Sequence, residues 1–308
     1  MKYVIFLLLV AIITGCSVQN NSAVLSTTSK SVNKPLSTFP FELRGDNQLY
    51  VQVKVNDVDS LTFNIDTGAS SFVVVDSIAR NKLKLNFDGE DTNIGASSIT
   101  TVKSSSNNKI ELGNVKLENL TLYSIPYESV DFDGIIGSEF FLNYVVDINY
   151  DRKTIKLYDP KTYKYKGKKK RLEVRMDNGV PLIKSSFMLN GSLYEDWFML
   201  DTGADDRISF NSTAVTNLNL ENKLKIVGSS NSMDSNGILY KSPLVLVKEI
   251  KISDYSFYNV IASLSKAKLG TNASDSHIGA LGNIVLNKMN IIYDLGNNSL
   301  YLEPKYFK

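Results

Sequence analysis

Two aspartates carry the most chemistry in this 308-residue chain, and each stands in the same tripeptide: Asp66-Thr67-Gly68 and Asp201-Thr202-Gly203. Each closes an apolar run, Leu61-Thr62-Phe63-Asn64-Ile65 in the first case and Trp197-Phe198-Met199-Leu200 in the second. A carboxylate at the end of a buried strand is costly unless something pairs with it. Two of them, one in each half of the chain, are expected to meet and share a proton. Such a pair is a general acid and base able to activate water. Gly68 and Gly203 lack a Cβ, so the chain can turn sharply there and let two loops approach closely. Other constellations are sparse. His277 is the only histidine, which excludes a His-rich metal site and leaves any Ser-His-Asp triad dependent on one loop residue. Cys16 is the only cysteine, so no intramolecular disulfide is possible. No phosphate-binding Gly-rich loop and no dinucleotide fingerprint occur. Neither a metal nor a cofactor is expected.

The elements that must position the two aspartates repeat in step with them. The Asp-Thr-Gly copies stand 135 positions apart; Gly137 of Asp133-Gly134-Ile135-Ile136-Gly137 and Gly282 of Ile278-Gly279-Ala280-Leu281-Gly282 stand 145 apart. The same 145 separates Ile155-Lys156-Leu157 from Leu300-Tyr301-Leu302. Ahead of each tripeptide a hairpin signal lies between strand-like runs, Val55-Asn56-Asp57 and Leu189-Asn190-Gly191. One long period present twice is a duplicated domain, not a solenoid. Abundant Val, Ile, Tyr, Phe and Ser with recurrent Gly-Asn-Asp turns predict an all-β chain. Helices are expected only at Asp76–Leu83, with Asp76 as N-cap, and at Ser138–Asn143, Ser212–Leu218 and Asn283–Lys288.

The duplicated tripeptides and their apolar-apolar-Gly partners, Ile135-Ile136-Gly137 and Ala280-Leu281-Gly282, resemble those of aspartic peptidases of the pepsin/retropepsin kind, with both halves fused in one polypeptide. Asp-Thr-Gly-Ala-Asp at 201–205 is similar to the retroviral type, and Asp-Thr-Gly-Ala-Ser at 66–70 lies between the two types. The resemblance covers roughly residues 40–158 and 172–303. It implies two homologous β-barrel-like lobes with an active-site cleft between them. Asp66 and Asp201 would be the catalytic pair, supported by Thr67, Gly68, Thr202 and Gly203, with the threonine hydroxyls bonding across to the opposite loop. It also implies flap hairpins, for which the candidates are Asn93–Ser105, with a Gly95-Ala96-Ser97-Ser98 tip, and Val227–Tyr240. The flap tyrosine of pepsin-like members has no clear counterpart in the first, and Tyr240 is the candidate in the second. Asp205 and Asp206, ahead of Arg207, read as parts of a structural ion pair. Ala69 and Ala204 replace the hydroxyl residue common in pepsin-like members. Without that hydroxyl the dyad's pKa values should be higher, with activity peaking at mildly acidic to near-neutral pH.

The N-terminus gives an address. Lys2, the apolar run Tyr3–Ile13 and Ile13-Thr14-Gly15-Cys16 resemble a bacterial lipoprotein signal, with cleavage before Cys16 and lipid on its thiol. The expected organisation is a signal peptide at 1–15, a flexible Ser/Asn/Thr-rich tether at 16–38, an N-terminal lobe at 39–160, a basic linker at 161–171 and a C-terminal lobe at 172–308. A cell-envelope location follows, with outer-membrane or surface attachment favoured because Ser, not Asp, follows Cys16. The linker packs seven Lys or Arg into eleven residues. With a net charge of only +2 and no aromatic-basic platform, nucleic acid is not expected as a partner; a solvated connection is the plainer reading, and contact with anionic headgroups stays open. The function expected is a membrane-tethered aspartic endopeptidase, a monomer with an internal pseudo-twofold axis that acts on peptides or proteins. The alternative is a catalytically idle protease fold that binds peptides or envelope proteins.

Overall fold

The computed structural model of the chain describes residues 33–127 and 130–306. The expected signal peptide, Cys16 and most of the expected tether lie outside the described residues. The first half runs β1 (Ser37–Pro40), β2 (Glu42–Leu43), β3 (Leu49–Val55), β4 (Val58–Ile65), β5 (Phe72–Val75), α1 (Asp76–Asn81), β6 (Gly89–Ile94), β7 (Ile99–Leu112), β8 (Val115–Ile125), β9 (Gly134–Ile136), α2 (Ser138–Asn143), β10 (Val145–Asn149) and β11 (Thr154–Tyr158). The second runs β12 (Leu172–Glu173), β13 (Arg175–Asp177), β14 (Val180–Leu189), β15 (Ser192–Asp201), β16 (Ile208–Phe210), α3 (Ser212–Asn217), α4 (Leu220–Lys223), β17 (Lys225–Met233), β18 (Leu239–Ile252), β19 (Tyr255–Leu264), β20 (Gly279–Gly282), α5 (Asn283–Leu286), β21 (Met289–Asp294) and β22 (Ser299–Pro304).

Turn chemistry sets the hairpins that lead to the aspartates. Asn56 and Asp57 have φ of 47° and 71°, and Asn190 and Gly191 have 51° and 82°. Two positive φ values in a two-residue loop match the twist of the flanking strands, and Asn, Asp and Gly tolerate them best. From Val51 onward in β3 buried residues alternate with exposed or half-buried ones, which turns Val51, Val53 and Val55 into the core.

The duplication appears strand for strand. One eight-stranded sheet has the order β2-β3-β4-β9-β5-β8-β7-β6, and the other β13-β14-β15-β20-β16-β19-β18-β17. Each curls back on itself through an extra pairing, Lys54 with Glu111 in β3–β7 and Phe187 with Ile250 in β14–β18. The protein is thus all-β, with two barrel-like lobes of the aspartic protease fold. A third sheet, β1-β11-β10-β21-β22-β12, takes three strands from each half and joins the halves where β10 pairs with β21. Ser37 and Thr38, expected at the end of the tether, begin β1, and Ser37 is buried.

Each lobe has its own apolar filling. Phe63, Ile65 and Phe72 are fully buried in the first, and Phe187, Phe198 and Phe210 in the second. Phe187 and Phe210 pack with ring centroids 4.8 Å apart. Burying each such ring contributes on the order of 2–3 kcal/mol.

All the expected helices form, with α4 as an addition. The N-cap of α1 is Val75, not Asp76, and it makes no side-chain capping bond. Asp76 is the first helical residue, and its carboxylate accepts from Arg80 Nε at 2.6 Å and Ser124 Oγ at 2.7 Å. These partners leave it no role as a cap.

Candidate active site

Asp66 directly follows β4 and Asp201 ends β15, strands held beside β9 and β20 in parallel pairs. These are the apolar-apolar-Gly segments read from the sequence. Gly137 and Gly282 pass so close to the aspartate loops that a Cβ would collide with backbone: on Gly137 it would fall 2.7 Å from Ala69 O, and on Gly282 it would strike Asp206 O.

The loops are locked by a reciprocal set of bonds between halves. Thr67 N–H donates to Thr202 Oγ1 at 3.0 Å, and Thr202 N–H donates to Thr67 Oγ1 at 3.1 Å. Thr67 Oγ1 in turn donates to Leu200 O at 2.7 Å, and Thr202 Oγ1 to Ile65 O at 2.8 Å. Both threonines are fully buried. This lock places each Gly against the opposite acid. A Cβ on Gly68 would lie 2.6 Å from Asp201 Cγ, and one on Gly203 would overlap the Asp66 carboxyl.

The carboxyls of Asp66 and Asp201 lie within hydrogen-bonding reach of each other. Their settings are near copies. Asp66 Oδ1 accepts from Gly68 N–H at 2.8 Å and Ala69 N–H at 3.2 Å; Asp201 Oδ1 accepts from Gly203 N–H at 3.1 Å and Ala204 N–H at 3.0 Å. Burial is the largest influence on both and raises them above the ordinary carboxylate range; the adjacent Asp66 charge raises Asp201 further. With surroundings so alike, the retained proton belongs to the pair. The pair can hold a proton and accept one at the same moment, which is the requirement for activating water beside a carbonyl.

Both flap candidates are hairpins, β6–β7 and β17–β18, and their tips meet. Asp234 Oδ2 accepts from Ser98 Oγ at 2.5 Å and from Ser97 Oγ at 3.0 Å. Asn236 Oδ1 accepts from Thr100 Oγ1 at 2.5 Å and Asn93 Nδ2 at 2.7 Å, and its own Nδ2 donates to Ser98 Oγ at 2.7 Å. Asp234 is 2% exposed. Burial alone would raise its pKa, but hydrogen bonds from Ser98, the Ile238 N–H, Ser97 and the Asn236 N–H outweigh that and hold it below the ordinary value. A third segment, the 3-10 turn Thr271–Ala273, docks on the first tip: Thr271 N–H donates to Gly95 O and Asn272 N–H to Ala96 O, both at 3.0 Å.

Tyr127 and Tyr240 lie close enough to the dyad and to Asp234 at the second tip to feel their charges. After burial, the charges of Asp66, Asp234 and Asp201 raise the Tyr127 phenol, and those of Asp201 and Asp234 raise Tyr240. Tyr240 was the flap-tyrosine candidate; Tyr127 carries no motif and was missed, as were Asp234 and Asn236. Apart from Cys16, every site residue expected from the sequence lies in the body, and the six of the two tripeptides come together. The expected Arg207 ion pair does not form among the described residues. Asp206 instead accepts from Ser263 Oγ at 2.7 Å and from the Arg207 backbone N–H at 2.8 Å. His277 is buried, with Nδ1 3.1 Å from Ser276 Oγ, and burial lowers its pKa. Among the described residues no cluster of His, Cys, Asp and Glu could hold a metal ion.

No curated protein matches the chain. Residues 51–140 match the family model described as aspartyl protease, a span that runs from β3 into α2 and includes both Asp66-Thr67-Gly68 and Ile135-Ile136-Gly137. That match supports an aspartyl-protease-like first half, and the second half repeats its strand order.

Proposed function

We propose that this protein is an active aspartic endopeptidase, held at a membrane of the cell envelope by lipid on Cys16. The observation that carries the catalytic reading is the pair of near-identical carboxyls, face to face and locked by Thr67 and Thr202. One member of the pair is protonated and the other ionised, because like charges so close cannot both ionise cheaply; aspartic proteases are themselves a standard example of this rule. The ionised member takes a proton from water held between the two. That water attacks the peptide carbonyl, and the protonated member donates to the carbonyl oxygen. The proton gained by the first member then goes to the leaving amine. No covalent intermediate is formed.

The flap tips close over this space, so a substrate enters as an extended strand after the tips part. The membrane reading rests on the sequence around Cys16 alone.

The test uses the chain from Ser17 onward with an unfolded protein mixture, from strongly acidic to neutral pH. The expected result is cleavage that a statine-type transition-state mimic and the Asp66→Asn, Asp201→Asn double variant both abolish. Cleavage that survives the double variant overturns the catalytic assignment. No cleavage at any pH, together with peptide capture, makes the protein an idle binding fold. Attachment is tested separately: Cys16→Ser should release the full-length protein from the membrane fraction.

A further inference from the structure

The connection between the halves, residues 159–171, is a fixed strap on the six-stranded sheet. Tyr163 and Tyr165 anchor it, packing with Tyr301 against Val145, Tyr158 and Ile292. The Tyr165 ring stacks on Tyr301 at 3.8 Å, and its hydroxyl donates to Glu303 Oε1. Arg171 Nε donates to Ser299 Oγ at 2.6 Å, and its Nη2 to Asn298 O at 3.0 Å. With the tyrosines turned inward, Lys161, Lys164, Lys166, Lys168 and Lys170 are left exposed. Of the strap's cations, only Lys169 has an acidic partner among the described residues, Asp254 at 4.0 Å. A row of ammonium groups on an ordered backbone keeps little of its charge compensated.

The chain enters the body beside this row. Asn33 Nδ2 donates to Lys164 O at 2.6 Å, and Lys164 N–H donates to Asn33 Oδ1 at 2.8 Å. Sixteen residues separate Asn33 from Cys16. Even fully extended they reach no more than about 60 Å, so a lipid on Cys16 would confine the strap to the neighbourhood of the bilayer.

We propose that the strap is a docking surface for anionic membrane lipids, and that it fixes how the body sits on the membrane. The inference rests on the membrane reading given above. Clustered lysines within a Debye length of an anionic surface, about 8–10 Å in ordinary salt, are drawn to it. Each such lysine is worth roughly fivefold in binding. The strap meets the sheet of the second flap at Asp254, beyond the end of β18 away from the flap tip, so docking leaves the flaps free to open.

The experiment co-sediments the chain from Ser17 onward, which carries no lipid, with phosphatidylglycerol-containing and with pure phosphatidylcholine vesicles. The expected result is binding to the anionic vesicles alone, weakening as salt rises. The variant Lys164→Gln, Lys166→Gln, Lys168→Gln, Lys170→Gln should lose binding by roughly two to three orders of magnitude. A control of equal net charge, Lys84→Gln, Lys184→Gln, Lys223→Gln, Lys248→Gln, should keep it. Both variants should melt like the parent. Equal loss in both variants, no loss in the strap variant, no vesicle binding by the parent, or tighter binding to duplex DNA than to the vesicles at the same salt would each overturn the proposal. Because this chain has no anchor, vesicle binding succeeds or fails independently of the Cys16→Ser fractionation.

Discussion

At the residue scale, the paired carboxyls tie the proposed activity to stability. Both carboxyls have pKa values raised by burial, so the folded protein binds more protons than the unfolded chain between the ordinary Asp value, about 3.9, and the dyad's upper value. Stability therefore falls as pH rises through that window and is not recovered above it. Asp201→Asn removes one of the two competing charges. It should abolish peptide cleavage, by roughly 10²–10⁴-fold or more. Its melting temperature should exceed the parent's at neutral pH, with the gap closing at strongly acidic pH; a variant that melts lower at neutral pH would contradict the shared-proton picture. The parent's activity should peak at mildly acidic to near-neutral pH, because only backbone N–H groups of Ala69 and Ala204, and no hydroxyls, reach the carboxyls from those positions. A peak well below pH 4 would sink that argument. The threonine lock is open to a double-mutant cycle. Thr67→Val strands the buried Thr202 N–H and Thr202→Val the buried Thr67 N–H, at about 1–3 kcal/mol apiece, and calorimetric melting should show the double variant costing less than the sum, because losing either pair of bonds already loosens the one contact between the loops. These residues were readable in advance because each has a fixed place relative to a repeated motif. Tyr127, Asp234 and Asn236 were not, because Ser, Asn, Asp and Tyr are ordinary constituents of turns and strands.

At the scale of elements, the flap tips form an asymmetric latch. The first hairpin offers the hydroxyls of Ser97, Ser98 and Thr100; the second offers the acceptors Asp234 and Asn236. Asp234 also accepts from its own turn, at Asn236 N–H and Ile238 N–H, so replacing it would damage the hairpin as well as the latch. The cleaner probe is Ser97→Ala with Ser98→Ala. Bonds to a charged acceptor contribute about 1.5–3 kcal/mol each, so the closed state should lose much of its preference. Amide hydrogen exchange should quicken at residues 95–100 and 234–239 and stay unchanged in β4 and β15; unchanged tips would mean that backbone contacts such as Thr271 to Gly95 hold the lid. Because the Asp234 pKa is depressed, the latch's contribution is present above the ordinary Asp value and lost only as pH falls below it. The lid should therefore hold across the range in which the dyad works. The resemblance located both hairpins, with Gly95-Ala96-Ser97-Ser98 as the first tip, but not their meeting. Register within a hairpin is local information; contact between tips whose residues stand 136–143 positions apart depends on how two lobes dock. The misplaced cap of α1 has a similar origin. Asp76 suits an N-cap, yet Ser124 on β8 and Arg80 draw its carboxylate away.

At the scale of the molecule, the chain behaves as two copies of one unit that would hold together without their link. The duplication was legible because landmark spacings recur, and the identical strand orders are its structural form. What spacing could not show is how much of the interface avoids the strap. β10 pairs with β21 from Val146–Tyr293 to Ile148–Ile291. Tyr150 donates its backbone N–H to Asn290 Oδ1 at 2.8 Å and its hydroxyl to Asn283 Oδ1 at 2.7 Å. Phe141 packs on Tyr293 with centroids 5.1 Å apart, Ser138 Oγ donates to Gly179 O, and Asn283 Nδ2 donates to Asn47 O. The threonine lock adds to these. A covalent link raises the effective concentration of one half for the other, but it matters little when the noncovalent surface is this continuous and apolar at its centre. The strap's exposed lysines make it the natural site for a nick. Limited trypsin digestion should cut between Lys164 and Lys170 and leave two fragments that co-elute at the parent's size. The nicked protein should keep its peptidase activity and melt in a single transition, because neither half can shed the other without exposing the β10–β21 seam and stranding the buried Thr67 and Thr202 amides. Fragments that separate on size exclusion, or a second transition in calorimetry, would show that the connection holds the dyad together and that the lobes are the true cooperative units.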